Sequence, residues 1–399
     1  MHNRFTEIYP LTTKVIRLPE GDRHVLTVNA KGFPVDWPNL YCMISLRPSS
    51  MALSTMQTHA TAICMLHNWC GDQGIPLQER IEKLDLFTMS EIAALRFAMR
   101  VNRSPGSESA TVEPPHWSMR LKAISAYIAW HGDHVLSRMS ARDERWPAAR
   151  KRLTATCKRI NGTIKHRKGK KKEGLEKDQQ TALATGISLG HPKNPFNANV
   201  QPRNLALIAV YSEGGLRRGE GGGLKICDMH LNGNEPYIEV ERRPDDPDDP
   251  RAQEPNTKTE AHPVPIGTKV ARLLGDYMIY DRPNYKNARK SPYVFLSQEG
   301  QPLSLSSIDQ VFRALRAVPG VPKDFSPNSL RRTWNDRVGD AAELLGIAPE
   351  LEMQIRNQAQ GRVRHSGEAM DYQRGRLRRR GNAIAIRMQD IATKDGKND

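Results

Sequence analysis

The sequence predicts a mainly α-helical protein with a small antiparallel β-sheet, an α+β fold built as two domains. Three observations lead to this prediction. The chain has 399 residues, which is too long for one ordinary hydrophobic core. Apolar residues recur at helical spacing from about residue 50 to residue 162. Short strand-like runs occur only later, between further helical segments.

The first domain is predicted to be helical after an irregular start. Residues 1–48 are mixed and interrupted by proline, and we interpret them as an N-terminal arm or a small strand-containing extension. A first helix follows, with apolar residues at Met56, Ile63, Leu66 and Cys70, and it ends at the glycines of GDQGIP. Thr88 and Glu91 have capping-box spacing and start a second helix. Two more helices are expected over 117–138 and 145–162.

A basic segment, KHRKGKKKEG at residues 165–174, separates the two domains. It has two glycines and no apolar residue, so one interpretation is a solvated linker. The other is a connector along a phosphate backbone, where Lys168, Lys170 and Lys171 would contact DNA without reading its sequence. Both interpretations place a domain boundary here.

The second domain is predicted to mix helices and strands. A helix over 203–213 is stopped by Gly214 and Gly215, and strand-like runs follow at PYIEV and HPVPI. The Asp- and Pro-rich stretch between these runs predicts an extended hairpin loop, whose acids favour a solvated surface over a Mg²⁺ site. Further helices are expected over 268–280, 304–317, 326–340, 350–358 and 366–379, with YVFL as a short extended piece.

Charge and cysteine usage restrict the class of partner. Sixty Lys and Arg against 44 Asp and Glu give a net charge of +16, which favours a polyanion such as DNA. The five cysteines form no CxxC pair, so neither a disulfide framework nor a zinc site is indicated. No stretch has the length and hydropathy of a leader or a membrane span, and we expect a soluble intracellular protein without membrane contact.

Five side chains with phosphate-transfer chemistry occur in a defined order: Arg217 in GLRRGE, Lys258 before a strand, Arg331 in SLRRT, His365 and Tyr372. An arginine at a rigid glycine corner is held ready for two phosphate oxygens. A tyrosine next to positive charge gains phenolate character and becomes a nucleophile. Each residue alone has an ordinary interpretation as a surface or packing residue, but the ordered set does not.

This order resembles the tyrosine recombinases of the phage integrase family over roughly residues 175–380. The resemblance implies a site-specific recombinase or integrase that cleaves and rejoins DNA through a 3′-phosphotyrosyl intermediate. It also implies the following organisation: an arm or extension at 1–48, a helical core-binding domain at 49–164, a basic linker at 165–174, a catalytic domain at 175–385 and a tail at 386–399.

The resemblance assigns a role to each matching residue. Arg217 and Arg331 would bind the scissile phosphate, with Glu220 in a structural role. Lys258 would protonate the departing 5′-oxygen. Tyr372 would be the nucleophile, and His365 a further phosphate ligand.

Two departures from the family pattern stand beside these assignments. Asn328 replaces the histidine of the second-arginine motif, and an amide can donate a hydrogen bond but cannot act as acid or base. His365 lies about two residues closer to Tyr372 than the pattern has it.

The same resemblance implies the partners. They are double-stranded DNA, a homotetramer on that DNA and accessory proteins, in the bacterial cytoplasm and on the nucleoid when DNA is bound. No metal and no cofactor is expected. Non-catalytic phosphate contacts are predicted at Arg218, Arg332 and Arg364.

Three alternatives stay open at this point. The first is a recombinase-derived protein that holds DNA without cutting it, with Asn328 as its sign. The second is a topoisomerase of related chemistry, which would relax supercoils without a specific site. The third and weakest is a scaffold that does not bind DNA, since binding to phosphates predicts a steep loss of affinity with salt.

Overall fold

The computed structural model describes residues 9–49, 51–103, 109–140, 142–164, 172–255, 257 and 260–362. It confirms the predicted fold class, which is mainly α-helical with small antiparallel sheets. The chain divides into two compact units, Met1–Gly169 (unit 1) and Lys170–Asp399 (unit 2). In the described part of the chain, no helix combines the length and the apolar character needed to cross a membrane.

Unit 1 begins with a β-hairpin of β1 (Thr12–Arg17) and β2 (Arg23–Val28), paired from Thr12 opposite Val28 to Arg17 opposite Arg23. Val25 of this hairpin lies in the same hydrophobic core as the helices. The helices of the unit are α1 (Asp36–Tyr41), α2 (Leu53–Asp72), α3 (Leu77–Glu82), α4 (Met89–Arg100), α5 (Pro114–Ser137) and α6 (Trp146–Asn161).

The long helices of unit 1 form where periodicity and capping predict them. In α4 the predicted capping box is present, since the Thr88 hydroxyl accepts from the Glu91 N–H (3.3 Å) and the Thr88 N–H donates to the Glu91 carboxylate (2.7 Å). Pro114 opens α5, where its missing N–H costs no hydrogen bond. The buried faces of α2 and α5 meet in the core, and their packing stabilises the unit.

Unit 2 surrounds a three-stranded antiparallel sheet in the order β3 (Met229–His230), β4 (Tyr237–Val240), β5 (His262–Pro265). Its helices are α7 (Lys177–Gly186), α8 (Gln201–Gly214), α9 (Arg218–Gly222), α10 (Thr268–Asp276), α11 (Leu305–Leu315), α12 (Pro327–Leu344) and α13 (Pro349–Ala359). The predicted strands and hairpin connection are confirmed. YVFL makes only single bridges, and the helix predicted over 366–379 lies outside the described residues.

The Asp- and Pro-rich loop between β4 and β5 differs from the prediction. Asp246 and Asp249 are buried, so a solvated loop is wrong for these two acids. Asp246 accepts from Lys225 Nζ (2.8 Å) and from the Tyr293 hydroxyl (2.9 Å), while Asp249 pairs with Arg251 (2.8 Å). Burial is possible because each carboxylate meets a buried cation. Among the described residues no cluster of acids, His or Cys has the composition of a metal site.

Candidate active site

The site begins at the corner where α8 ends. Gly215 has φ 59°, a left-handed conformation that glycine adopts without strain. A side chain here would also place its Cβ 2.7 Å from the ring of Trp334 on α12. Only glycine therefore allows the chain to turn this closely against α12. The carbonyl of Gly215 accepts a hydrogen bond of 2.7 Å from Arg331 of that helix.

Arg217 follows the corner as the N-cap residue of α9. Its backbone N–H donates to Glu220 Oε2 and its guanidinium Nη1 donates to Glu220 Oε1, both at 2.7 Å. The Glu220 side chain is fully buried, whereas that of Arg217 is 24% exposed. The carboxylate therefore fixes the backbone and the guanidinium of Arg217 together, and leaves part of the guanidinium accessible.

Arg331 reaches the same carboxylate from α12. The helix starts at a capping box of Ser326 and Ser329. One turn later the side chain of Arg331, 5% exposed, places Nη1 3.7 Å from Glu220 Oε2. Its Nη2 donates to Oε1 of Gln360, at the end of α13, at 2.8 Å. Residues far apart in the sequence thus fix the direction of this guanidinium.

The charges of this cluster explain what it can bind. Burial alone would raise the pKa of Glu220, but the positive charges of Arg331 and Arg217 outweigh it and hold the pKa below its usual value. Glu220 is therefore an anion shared by two cations. The three side chains sum to a net charge of +1 (two positive, one negative), and the planar guanidinium groups can donate hydrogen bonds to the oxygens of a phosphate.

Three other predicted residues lie close to these residues in the sequence but have different surroundings in the structure. Arg218 pairs with Asp309, and both side chains are exposed. Arg332 donates to the Glu173 carbonyl (2.9 Å) and to Ser329 Oγ (3.1 Å). Asn328 is exposed in the first turn of α12. DNA contacts by Arg218 and Arg332 stay predictions.

Seven predicted residues lie outside the described residues, so the structure does not test them. They are Lys168, Lys170, Lys171, Lys258, Arg364, His365 and Tyr372. The structure therefore brings together Arg217, Arg331 and Glu220, and the other assignments rest on the resemblance.

A buried network behind Arg331 was not found from the sequence. Asn335 Nδ2 donates to the Arg331 carbonyl (2.8 Å), and Arg356 Nη1 donates to Asn335 Oδ1 (3.4 Å). Arg356 also pairs with Glu352 one turn earlier in α13. The i, i+4 spacing of Glu352 and Arg356 is the one sequence signal for this network. Nothing in the spacing of Gln360 predicted its contact with Arg331.

Comparison with known proteins agrees with the resemblance. Residues 191–338 match the phage integrase family, a span that includes Arg217, Glu220, Lys258 and Arg331. A search of curated proteins gives no match.

Three solved structures similar to this chain are recombinases or integrases by name. The Tn1549 transposon integrase in complex with transposon right end DNA is 13% identical, with 86% of this chain and 99% of that chain covered and a TM-score of 0.47. The XerH site-specific recombinase bound to palindromic difH substrate, a post-cleavage complex, is 16% identical, with 75% and 84% covered and a TM-score of 0.44. The XerA recombinase is 16% identical, with 84% and 92% covered and a TM-score of 0.37.

Proposed function

Residues 191–338 carry a phage integrase family domain, and on this premise we propose that the protein is a site-specific DNA recombinase that cleaves and rejoins duplex DNA. The reaction would pass through a 3′-phosphotyrosyl intermediate on Tyr372. The observation that supports this most is the meeting of Arg217 and Arg331 on Glu220, since a phosphate-transfer site needs fixed cations that keep a surplus of positive charge.

The two arginines would act on the non-bridging oxygens of the scissile phosphate. Negative charge grows on these oxygens as the nucleophile approaches phosphorus, and a guanidinium stabilises it without giving up its proton. Arg217 is partly exposed and Arg331 is buried, so Arg217 would meet the phosphate from the open side and Arg331 from within. Their contacts with Glu220 mean that no reorientation is needed when DNA binds.

The covalent step would involve residues assigned by the resemblance. The phenol of Tyr372 would lose its proton to water as its oxygen forms a bond to phosphorus, while the bond from phosphorus to the 5′-oxygen breaks. Lys258 would give the departing 5′-oxygen its proton, because an alkoxide is too basic to leave unassisted. His365 would add a contact to the phosphate. A 5′-hydroxyl from another strand would reverse the step and rejoin the DNA.

Asn328 is expected to lower the rate of this reaction. Its amide, exposed at the start of α12, can donate to a phosphate oxygen but cannot move a proton. We therefore propose an active enzyme that is slower than one with histidine at this position. The Asn328→His variant is expected to form the covalent adduct faster than the wild type.

The proposed partner is duplex DNA, bound by a homotetramer, since exchange between two duplexes uses four active sites. The net charge of +16 supports a polyanionic partner. Because the resemblance does not give the target sequence, the decisive experiment has to find it as well.

That experiment uses a library of duplexes with a randomised centre and a nick next to it. The fragment released by cleavage diffuses away from the nick, so the protein stays trapped on the 3′ end. We expect wild-type protein to give a denaturant-resistant adduct on a subset of sequences, with the DNA on the peptide that contains Tyr372. Tyr372→Phe should give none.

The outcomes separate the alternatives. No adduct from the wild type, with salt-dependent DNA binding intact, would mean a DNA-holding protein. Relaxation of supercoiled plasmid with no sequence preference among the trapped duplexes would mean a topoisomerase. Binding that ignores salt would contradict a phosphate partner altogether.

A further inference from the structure

We propose that Gln360 is a positioning residue for Arg331, and that its neutral amide orients this arginine without cancelling its charge. The inference rests on the proposed function, because it concerns how the same site keeps its affinity for a phosphate. It assigns a role to a side chain that lies outside the residues matched to the phage integrase family.

The amide orientation of Gln360 is fixed by its partner. Its Oε1 accepts from Arg331 Nη2 at 2.8 Å, and the residue is 1% exposed. A flipped amide would bring two donor groups face to face, since a guanidinium only donates. The Nε2 of Gln360 has no hydrogen-bond acceptor among the described residues. The side chain is thus held through Arg331 and not through an alternative network of its own in that part of the chain.

The backbone around Gln360 is fixed as well. It ends α13, where the Gln360 and Arg362 N–H groups both donate to the Asn357 carbonyl, at 3.3 and 2.9 Å. The next residue, Gly361, has φ 57° and packs so closely on β5 that a Cβ would strike His262. Because the backbone of this turn is fixed, the Gln360 amide is already placed next to the Arg331 guanidinium.

Two other arginines of unit 2 with buried side chains have a carboxylate partner, whereas Arg203, also buried, donates to the amide oxygen of Asn204 at 2.8 and 3.0 Å. Arg356 pairs with the Glu352 carboxylate, and Arg251 pairs with the Asp249 carboxylate. Both are therefore balanced by a carboxylate of their own. Arg331 instead shares Glu220 with Arg217 and has a neutral oxygen as its second side-chain acceptor.

A carboxylate at position 360 would change the charge of the site. It would accept from Arg331 more strongly than the amide does, and it would bring Arg217, Arg331, Glu220 and residue 360 to a net charge of zero. The arginine would remain well placed, but its attraction for a phosphate would fall. Substitution of Gln360 can therefore separate the effect of the orientation of Arg331 from the effect of the net charge of the site.

The test compares Gln360→Glu with Gln360→Met in the full-length protein. If the amide serves only packing and hydrogen bonding, the Glu variant keeps the acceptor and should be nearer to wild type than Met. If the amide preserves the charge, Glu should be the worse variant. The matched control is Gln358→Glu, an exposed position on the same helix.

The readouts are thermal unfolding and the single-turnover rate of adduct formation at saturating DNA, on a duplex from the trapping experiment. We expect Gln360→Glu to unfold at or above the wild-type temperature and to form adduct at least tenfold more slowly. Gln360→Met should lose less rate, and Gln358→Glu should stay within twofold of wild type. A Glu variant with a rate equal to or above that of Met would overturn the inference. Absence of adduct from the wild type would instead overturn the proposed function on which it rests.

Discussion

The two units bury polar side chains in different ways. In the described part of unit 1 the buried polar groups are mostly uncharged, such as Asn39, Ser125 and His131, with Arg23 as a charged exception. In unit 2 many buried polar groups are charged: Arg203, Glu220, Lys225, Asp228, Asp246, Asp249, Arg282, Arg331, Glu352, Arg356 and Arg362. Because a buried charge is costly unless it is paired, its presence in unit 2 needs a reason that unit 1 does not have.

The histidines of unit 1 show how that unit avoids buried charge. His131 stacks on Trp37 with ring centroids 3.8 Å apart and is 1% exposed. Burial, followed by the nearby His134 and His67, lowers the pKa of His131 to about 4. The ring is therefore neutral at pH 7 and packs as an aromatic residue. Unit 1 is a framework held by apolar contacts, whereas unit 2 holds ions in place, which suits the unit that would handle a phosphate.

The largest expected effect comes from removing the shared anion of unit 2. Glu220→Gln would leave the buried Arg331 and the partly exposed Arg217 against a neutral amide. We expect a loss of about 3–5 kcal/mol in the free energy of unfolding of unit 2, the usual cost of breaking a buried ion pair on one side. Adduct formation should fall by at least tenfold, because both guanidinium groups lose their common support. Urea unfolding and the trapping assay measure the two effects.

Glu213→Gln is the control for this substitution. Glu213 pairs with Arg337 through two contacts of 2.8 Å, but both side chains are more than a third exposed. A surface pair of this kind contributes less than about 1 kcal/mol. Equal losses from Glu220→Gln and Glu213→Gln would contradict the distinction between buried and surface ions.

Acid should affect the two units in different pH ranges. The folded-state pKa of His131, about 4, lies below the ordinary histidine value of 6.5, so the unfolded chain binds the proton more tightly. Stability of unit 1 is therefore full above pH 6.5 and falls as the pH drops toward 4. A difference of about 2.5 pKa units corresponds to about 3 kcal/mol. The pKa of His59, also lowered by burial, acts in the same direction.

Unit 2 should keep its stability to a lower pH than unit 1. The pKa values of Glu220 and Asp246 are lowered despite burial, by their cationic partners, so their contribution is lost only as the pH falls below about 4.5. Trp334 is the one tryptophan of the sequence after residue 170, and its fluorescence reports on unit 2.

His131→Phe should remove most of the loss of stability in unit 1 between pH 6.5 and 4. His116→Phe, at an exposed site, should not remove it.

A moderate effect is expected from the balanced ions of the β4–β5 loop. Burial alone would lower the pKa of Lys225, but the hydrogen bonds that its Nζ donates to the Asp246 and Asp248 carboxylates outweigh burial and raise it, which keeps this lysine charged. Lys225→Met would leave Asp246 with the Tyr293 hydroxyl but without its cation. We expect a loss of about 2 kcal/mol in unfolding free energy.

The same variant tests whether the loop charges serve DNA binding. Lys225 is matched by two carboxylates, so the slope of log affinity against log salt should equal that of the wild type. A slope smaller by about 1 would show a phosphate contact at Lys225 and contradict its structural role.

The smallest effect is expected in unit 1, at the start of α4. Thr88→Ala removes the hydroxyl that accepts from the Glu91 N–H. A lost N-cap costs about 1 kcal/mol, and the neighbouring contacts of Glu91 with Arg80 remain. Denaturant unfolding should show this loss of unfolding free energy. The rate of adduct formation at low temperature should be unchanged.

The sequence predicted elements with strong local signals and missed contacts between distant residues. The capping box at Thr88 and the glycine corner at Gly215 are local, and both are present. The short helices α1, α3, α7 and α9 were not predicted, because pieces of five to ten residues have little periodicity. The order of Arg217 and Arg331 indicated a shared site, but their meeting on Glu220 depends on tertiary packing. Burial of Asp246 was missed because its partner Lys225 lies 21 residues away.

Arg331 is proposed to bind the phosphate from within the cluster, and one comparison of variants tests this role. Single-turnover adduct formation is measured for Arg331→Met and for Arg337→Met, both in α12, on the same trapped duplex. Arg337 pairs with Glu213 on the surface, so its variant should react at a rate near wild type. We predict that Arg331→Met forms adduct at least a hundredfold more slowly, at a temperature where its fold is intact by Trp334 fluorescence. A folded Arg331→Met variant that reacts as fast as Arg337→Met would show that Arg331 does not bind the phosphate.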